Sequence, residues 1–283
     1  MAHGDECPAA LADWVVEAEL GRGGMGAVYA ARNSRTGDVR ALKVIRADTD
    51  GASPTALSLF RREVRIGMEL HHPHVVRTDE VLREGGLWGI VMELCAGGSL
   101  ADKVARYGPL SAGQAVPLFL QVLDALVYTH AAHATVHRDI KPHNILFGVG
   151  TTGELVAKLA DFGLAKAYQS AGLSGLTRTG TAAGTPAFMP RSQVINYKYA
   201  GPDVDIWSTA ASLYYALTAH TPRDFPDGRD PWLTVATASV VPVGERQASV
   251  PDRLARVVDR ALTEGPGQGF ATAELFRQAL GAV

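Results

Sequence analysis

The residues best suited to chemistry lie in one run, His137-Arg138-Asp139-Ile140-Lys141-Pro142-His143-Asn144, with Asp161-Phe162-Gly163 further on. The run sets an acid, a cation and an amide in a single short loop, and a second acid opens a later one. That set suits a reaction in which a metal-bound triphosphate meets a hydroxyl group, because charge must be stabilised on both sides of an in-line transfer. Upstream, Gly21-Arg22-Gly23-Gly24-Met25-Gly26 forms a loop whose backbone can approach phosphates, since side chains are absent. Lys43 follows in Val39-Arg40-Ala41-Leu42-Lys43-Val44, which alternates like a half-buried strand.

Each of these segments also has a plainer reading. A lone glycine run is an ordinary turn, or it opens a dinucleotide-binding unit, where a helix follows it. Here Ala27-Val28-Tyr29-Ala30 follows, which reads as strand and favours a strand–loop–strand flap. No Gly-Lys-Ser/Thr ending occurs, so a P-loop is not expected. A lone lysine on a strand is usually solvated, and Glu63, beside Arg61, Arg62 and Arg65, fits one more charge on a helix face. His71, His72 and His74 lack the helical two-ligand spacing and have no cysteine nearby, so no metal is expected there. His137 and Phe162 read as packing residues and not as a base or a ligand.

The elements that must position these groups change character along the chain. Residues 1–11 form a lead-in, and strands with tight turns are expected from Trp14 to Ile45, with a hairpin turn at Thr36-Gly37-Asp38. A helix is expected over Thr55–Leu70, with Gly67 costing it about 1 kcal/mol relative to Ala. Two strands follow near Val76–Arg83 and Leu87–Leu94, and Ala96-Gly97-Gly98 marks a boundary. Beyond it the pattern is helical. Ala115–His133 is the clearest segment, with Leu118, Val122, Ala125, Leu126 and Tyr128 directed inward and Pro117 near its start. A hairpin is expected around Gly150–Gly153, a loop over Tyr168–Gly184, and helices over Asp205–Ala219, Arg253–Leu262 and Thr272–Leu280.

Composition narrows the class. Across 283 residues, 47% are hydrophobic, enough for a large core, and a net charge of −2 gives no basic field for nucleic acid. Two cysteines, Cys7 and Cys95, make neither a disulfide framework nor a structural zinc set. No apolar run nears the roughly 20 residues that span a bilayer. The first residues lack the pattern of a secretory signal. A cytoplasmic protein without a membrane segment is therefore expected.

From about Trp14 to about Leu280 these segments together resemble the eukaryotic-like serine/threonine protein kinases of bacteria. The resemblance implies an α+β, protein-kinase-like bilobal fold: a small antiparallel β-rich N-lobe with one main helix over 12–95, and a larger, mainly helical C-lobe over 96–283. It implies that Asp139 orients the substrate hydroxyl and accepts its proton, that Lys141 neutralises charge on the transferring group, and that Asn144 and Asp161 hold Mg²⁺. ATP contacts are implied at Gly21, Gly23, Gly26, Val28, Ala41, Lys43, Glu63, Glu93 and Cys95, with Glu63 pairing Lys43. Lys141-Pro142 and Thr185 resemble the serine/threonine-directed branch, with Thr185 at the substrate. Arg138 would grip a phosphate on Thr177 or Thr179, so protein substrates include the chain itself. Asp205, in Asp205-Ile206-Trp207-Ser208, would hold the backbone of the catalytic loop.

One segment departs from the family. Where Ala-Pro-Glu is usual, Pro190-Arg191-Ser192 stands, and the arginine that pairs with the family glutamate is replaced by Gly269 in its expected slot. Losing one buried partner costs about 3–5 kcal/mol, whereas losing both is near neutral. The segment is therefore read as a re-engineered anchor, with the partner of Arg191 left open. Two alternatives stay beside the kinase reading: a pseudokinase that binds nucleotide without transfer, and a small-molecule kinase of the same fold.

Overall fold

The computed structural model describes residues 8–23, 26–46, 64–150, 152–162, 186–197, 200–265 and 267–283. The described residues divide into two compact units. One runs to His71 and resumes at Val76–Cys95; the other takes His72–Val75 and the residues beyond Ala96.

The first unit is a six-stranded antiparallel sheet. Its strands are β1 (Ala10–Leu11), β2 (Trp14–Gly23), β3 (Gly26–Asn33), β4 (Val39–Arg46), β5 (Thr78–Glu84) and β6 (Leu87–Met92), in the order β1-β2-β3-β4-β6-β5. On β3 alternation does the sorting, whereas β4 from Ala41 to Ile45 and β6 from Trp88 to Met92 are buried on both faces, so β4 is not the half-buried strand expected. Ala27, Tyr29 and Ala31 on β3 turn inward to join Leu11, Trp14, Leu42, Val44 and Val91 in one core cluster. The β3–β4 turn is held by the side chain of Asn33, whose Oδ1 accepts from the amides of Arg35 and Thr36, while Gly37 takes a φ of 80°. Of the helix expected over Thr55–Leu70, residues 64–69 are helical and Leu70 lies just past the helix end; residues 55–63 lie outside the described residues.

The second unit is mainly helical. It contains α1 (Leu100–Tyr107), α2 (Ala112–His133), the hairpin β7 (Ile145–Val149) and β8 (Leu155–Leu159), α3 (Arg191–Ile195) and α4 (Pro202–Thr218). These are followed by α5 (Pro231–Thr237), α6 (Val243–Arg246), α7 (Asp252–Ala261) and α8 (Ala273–Gly281). Helix α2 packs against α4, α8 and β8, and α4 is buried along almost its whole length.

The helix α2 starts three residues before the expected Ala115, because Ser111 and Gln114 form a reciprocal capping box. Pro117 consequently lies inside the helix and not in its first turn, so the Gly113 carbonyl loses its helical donor; both residues are exposed and water is available to it. Val122, Ala125 and Leu126 are buried as expected. Leu118 and Tyr128 are only half-buried, and Phe119 and Leu123 take core places instead. Helix α4 begins at Pro202, whose missing N–H is harmless at a first helical position.

Candidate active site

In the first unit, Gly21 and Gly23 end β2, Gly23 pairs with Gly26, and Val28 lies opposite Lys43 in register. The glycines differ in what they permit. Among the described residues a Cβ on Gly21 or Gly23 would meet nothing within 4 Å, whereas a Cβ on Gly26, at φ +125°, would lie 2.2 Å from the Val44 carbonyl oxygen. Gly26 is therefore required by the sheet itself, while Gly21 and Gly23 leave room for a group to approach. Lys43 is 5% exposed on the central strand β4, a setting in which lysine is seldom found without a paired anion. Ala41 is buried beside it. Glu93 and Cys95 follow β6 and are half-buried, and the Glu93 and Arg77 segments are joined by Glu93 N–H donating to the Arg77 carbonyl at 2.9 Å.

In the second unit, the catalytic-loop candidates converge on one carboxylate. Lys141 Nζ lies 2.9 Å from Asp139 Oδ2 and 3.2 Å from Oδ1. Asn144 Nδ2 donates to Asp139 Oδ2 at 3.0 Å and to the Asp139 carbonyl at 2.8 Å. Asn144 is buried, and the same two bonds orient its amide so that Oδ1 remains as its acceptor. Asp161 lies two residues past the end of β8 with φ 65°, a left-handed conformation seldom taken by a residue other than glycine. The Ala160 amide donates to the Asn144 carbonyl at 2.9 Å, so this loop and the Asp161 segment are tied together.

A second layer holds the loop. His137 is buried; its Nε2–H donates to the Ala160 carbonyl at 2.8 Å and its Nδ1 accepts the Asp139 amide at 3.2 Å. Both ring nitrogens are committed, so the imidazole packs and orients, and Phe162 meets it edge-on at 4.5 Å. Asp205, with no exposed surface, accepts from the amides of His137 and Arg138 and from His130 Nε2, each at 2.8 Å. Arg138 donates through Nη2 to the Ala200 carbonyl at 2.9 Å and lies over the Tyr197 ring. Burial pushes the Tyr197 phenol up to about 12, so the ring stays neutral beneath that cation.

The partner left open for Arg191 is Glu264. The Arg191 amide donates to Glu264 Oε1 at 2.7 Å, and its guanidinium Nε lies 3.3 Å from Oε2. Arg223 completes the cluster from a fully buried position, with Nη2 2.5 Å from Glu264 Oε1 and Nη1 donating to the Met189 carbonyl at 3.2 Å. The altered segment thus keeps an ionic anchor with its charges reversed: the cation sits on the Pro190-Arg191-Ser192 side and the anion on the far side. Sequence reasoning missed Glu264, Arg223, His130 and Gln193. Their partners lie tens of residues away, and no local spacing marks them. Glu63, Thr177, Thr179 and Thr185 lie outside the described residues.

The histidines set aside as ligands have other work. His72 Nδ1 accepts the His74 amide at 3.2 Å and its ring stacks on Tyr128, while His74 Nδ1 donates to the Ala157 carbonyl at 3.0 Å. Among the described residues no helix is long and apolar enough to cross a membrane.

Comparison with known proteins bears on the whole chain. Residues 14–260 match the protein kinase domain family. The chain is 32% identical to serine/threonine-protein kinase PkaA of Streptomyces coelicolor over 275 residues, covering 93% of this chain and 49% of that protein. It is 33% identical to serine/threonine-protein kinase pkn3 of Myxococcus xanthus over 273 residues, covering 95% and 49%. It therefore spans about half the length of the curated relatives it matches. The crystal structure of Rad53 in complex with AMP-PNP superposes with a TM-score of 0.76 at 24% identity, over 96% of this chain and 66% of that one, which shows the α+β kinase fold.

Proposed function

We propose that this chain, which belongs to the protein kinase domain family, is a serine/threonine protein kinase that transfers the γ-phosphoryl group of ATP to protein hydroxyls. The observation that carries this reading is the convergence of Lys141 and Asn144 on the Asp139 carboxylate. Two bacterial relatives, named as serine/threonine-protein kinases, support it over nearly the whole chain.

In this reading Asp139 takes the proton of a serine or threonine hydroxyl as the hydroxyl oxygen bonds to the γ-phosphorus and the bond to the ADP oxygen breaks; the electron pair leaves with ADP. Lys141, within 3.2 Å of both Asp139 oxygens, keeps that carboxylate oriented and offsets the negative charge that gathers on the transferring group. Protein kinases use ATP with Mg²⁺, and the donor set here fits a hard cation. The Asn144 Oδ1, aimed away from Asp139 by the two bonds of its amide nitrogen, and the Asp161 carboxylate are oxygen ligands of the type Mg²⁺ takes. When bound, the ion neutralises phosphate charge. On the first unit, Lys43, Gly21 and Gly23 are assigned to the triphosphate, with Val28, Ala41, Glu93 and Cys95 at the base and Glu63 as the partner of Lys43. Residues 12–95 and 96–283 are taken as the two lobes of one kinase domain, in the cytoplasm. Thr177 and Thr179 are assigned as autophosphorylation sites and Thr185 to the substrate.

The test is incubation with labelled ATP and Mg²⁺, offering a generic basic protein and a set of hydroxylated metabolites. Label on protein serine or threonine supports the reading. Label on metabolites alone, or nucleotide binding with no transfer, overturns it.

A further inference from the structure

Arg138 stands immediately before Asp139 and has φ 66°, a conformation that persists only where the surroundings over-determine it. Its backbone is held from both sides by side chains. The amide donates to Asp205 Oδ1 at 2.8 Å, and the carbonyl accepts from Gln193 Nε2 at 2.7 Å. Asp205 reaches the loop from α4; Gln193 reaches it from α3, the short helix that follows the altered Pro190-Arg191-Ser192 segment.

We propose that Gln193 is a positioning residue for the catalytic loop, fixing the Arg138 carbonyl and through it Asp139, and that the reversed Arg191–Glu264–Arg223 anchor holds Gln193 in register. Helix α3 is secured two residues earlier, where the Arg191 amide meets Glu264 and its guanidinium donates to the Val235 and Ala238 carbonyls at 3.1 and 2.5 Å. Ser192, which occupies the place of the family glutamate, is exposed and takes no part.

Gln193 is a poor choice for stability alone. It is 1% exposed, and among the described residues its Oε1 has no hydrogen-bond partner, nor has the buried Nε of Arg138. An unpartnered buried acceptor costs stability that an apolar side chain of the same shape would spare. What the amide supplies is a fixed point for one carbonyl, at the residue whose backbone conformation sets the direction of Asp139.

The experiment uses the whole chain and the variants Gln193→Met, which keeps the shape without polar atoms, and Gln193→Asn, which keeps the amide with a shorter reach. Hydrogen exchange is followed in peptides spanning 136–145 alongside steady-state phosphotransfer. Gln193→Met should speed exchange of the His137 and Arg138 amides by about tenfold, leaving β7 and β8 unchanged. It should lower kcat about fivefold to twentyfold with KM for ATP within about twofold, and shift the melting temperature by no more than about 3 °C. Gln193→Asn should fall between it and the wild type. Unchanged loop exchange, faster exchange with unchanged kcat, faster exchange throughout the unit, or failure of both variants to fold overturns the proposal. The kinetic arm rests on the proposed kinase activity, and the exchange arm does not. Local loosening in a chain whose wild type transfers no phosphate would support the positioning role and sink the kinase reading.

Discussion

Arg223 and Glu264 form a buried ion pair, with Nη2 2.5 Å from Oε1 and no exposed surface on the arginine side chain. Burial drives the Arg223 guanidinium below its ordinary range, and the Glu264 carboxylate opposes that shift by favouring the charged form. The arginine also lies over the Trp207 ring at 4.7 Å, and the indole N–H of Trp207 donates to the Leu262 carbonyl, two residues before Glu264. One carboxylate therefore compensates a charge at the centre of the helical unit and ties down the start of α3.

Removing that carboxylate strands a buried cation. Glu264→Ala should cost about 3–5 kcal/mol of unfolding free energy. Arg191→Ala, whose side chain is a third exposed, should cost about 1–2 kcal/mol. Urea unfolding of the two variants beside the wild type measures both. Equal losses would mean that Arg223 is not the group Glu264 compensates.

The two ends of the glycine loop should separate folding from binding. Gly26→Ala drives a Cβ into the Val44 carbonyl at a φ that side chains rarely adopt, so it should destabilise by more than about 2 kcal/mol. Gly23→Ala meets nothing among the described residues, so its stability should stay within about 0.5 kcal/mol of the wild type while KM for ATP rises. Thermal melts and ATP titration decide the matter. An unchanged ATP response in Gly23→Ala would remove this glycine from the phosphate site.

These contrasts mark what the sequence could disclose. The grouping of the catalytic-loop candidates was legible because it is local: Asp139, Lys141 and Asn144 meet across a few residues, and the roles assigned to them come from the resemblance. Strand β3 was legible from alternation, as Ala27, Tyr29 and Ala31 show, whereas the burial of β4 on both faces was not. The anchor was not, because Arg191 and Glu264 are 73 residues apart and meet only after α5 and α7 have packed. Helix starts misled for another reason: the two long helices begin at Ala112 and Pro202, three residues before the expected Ala115 and Asp205, whereas their ends at His133 and Thr218 fall where expected although Ala134 and Ala219 cap them in left-handed conformations that glycine usually takes.

Acid should weaken the fold through its histidines. His72, His74 and His143 all have pKa values lowered from 6.5, chiefly because burial disfavours their charged forms, with His74 and Lys141 adding repulsion to His72 and His143 respectively. A base whose folded pKa lies below its unfolded one binds more protons when unfolded. Stability is therefore flat well above 6.5, and is lost as pH falls through 6.5 towards the lower folded values. Urea unfolding between pH 8 and pH 5.5 should show this slope, and the double variant His72→Asn with His74→Asn should flatten it. A slope identical in that variant would assign the acid sensitivity elsewhere.

The most direct test of the proposed chemistry is Asp139→Asn, measured for Mg-ATP binding and for single-turnover transfer to a protein acceptor. Asparagine keeps the size and much of the hydrogen bonding but cannot accept the hydroxyl proton. ATP affinity should stay within about threefold while transfer to serine and threonine falls at least about a hundredfold. Transfer at the wild-type rate in Asp139→Asn would contradict the assignment of this carboxylate as the group that receives the proton.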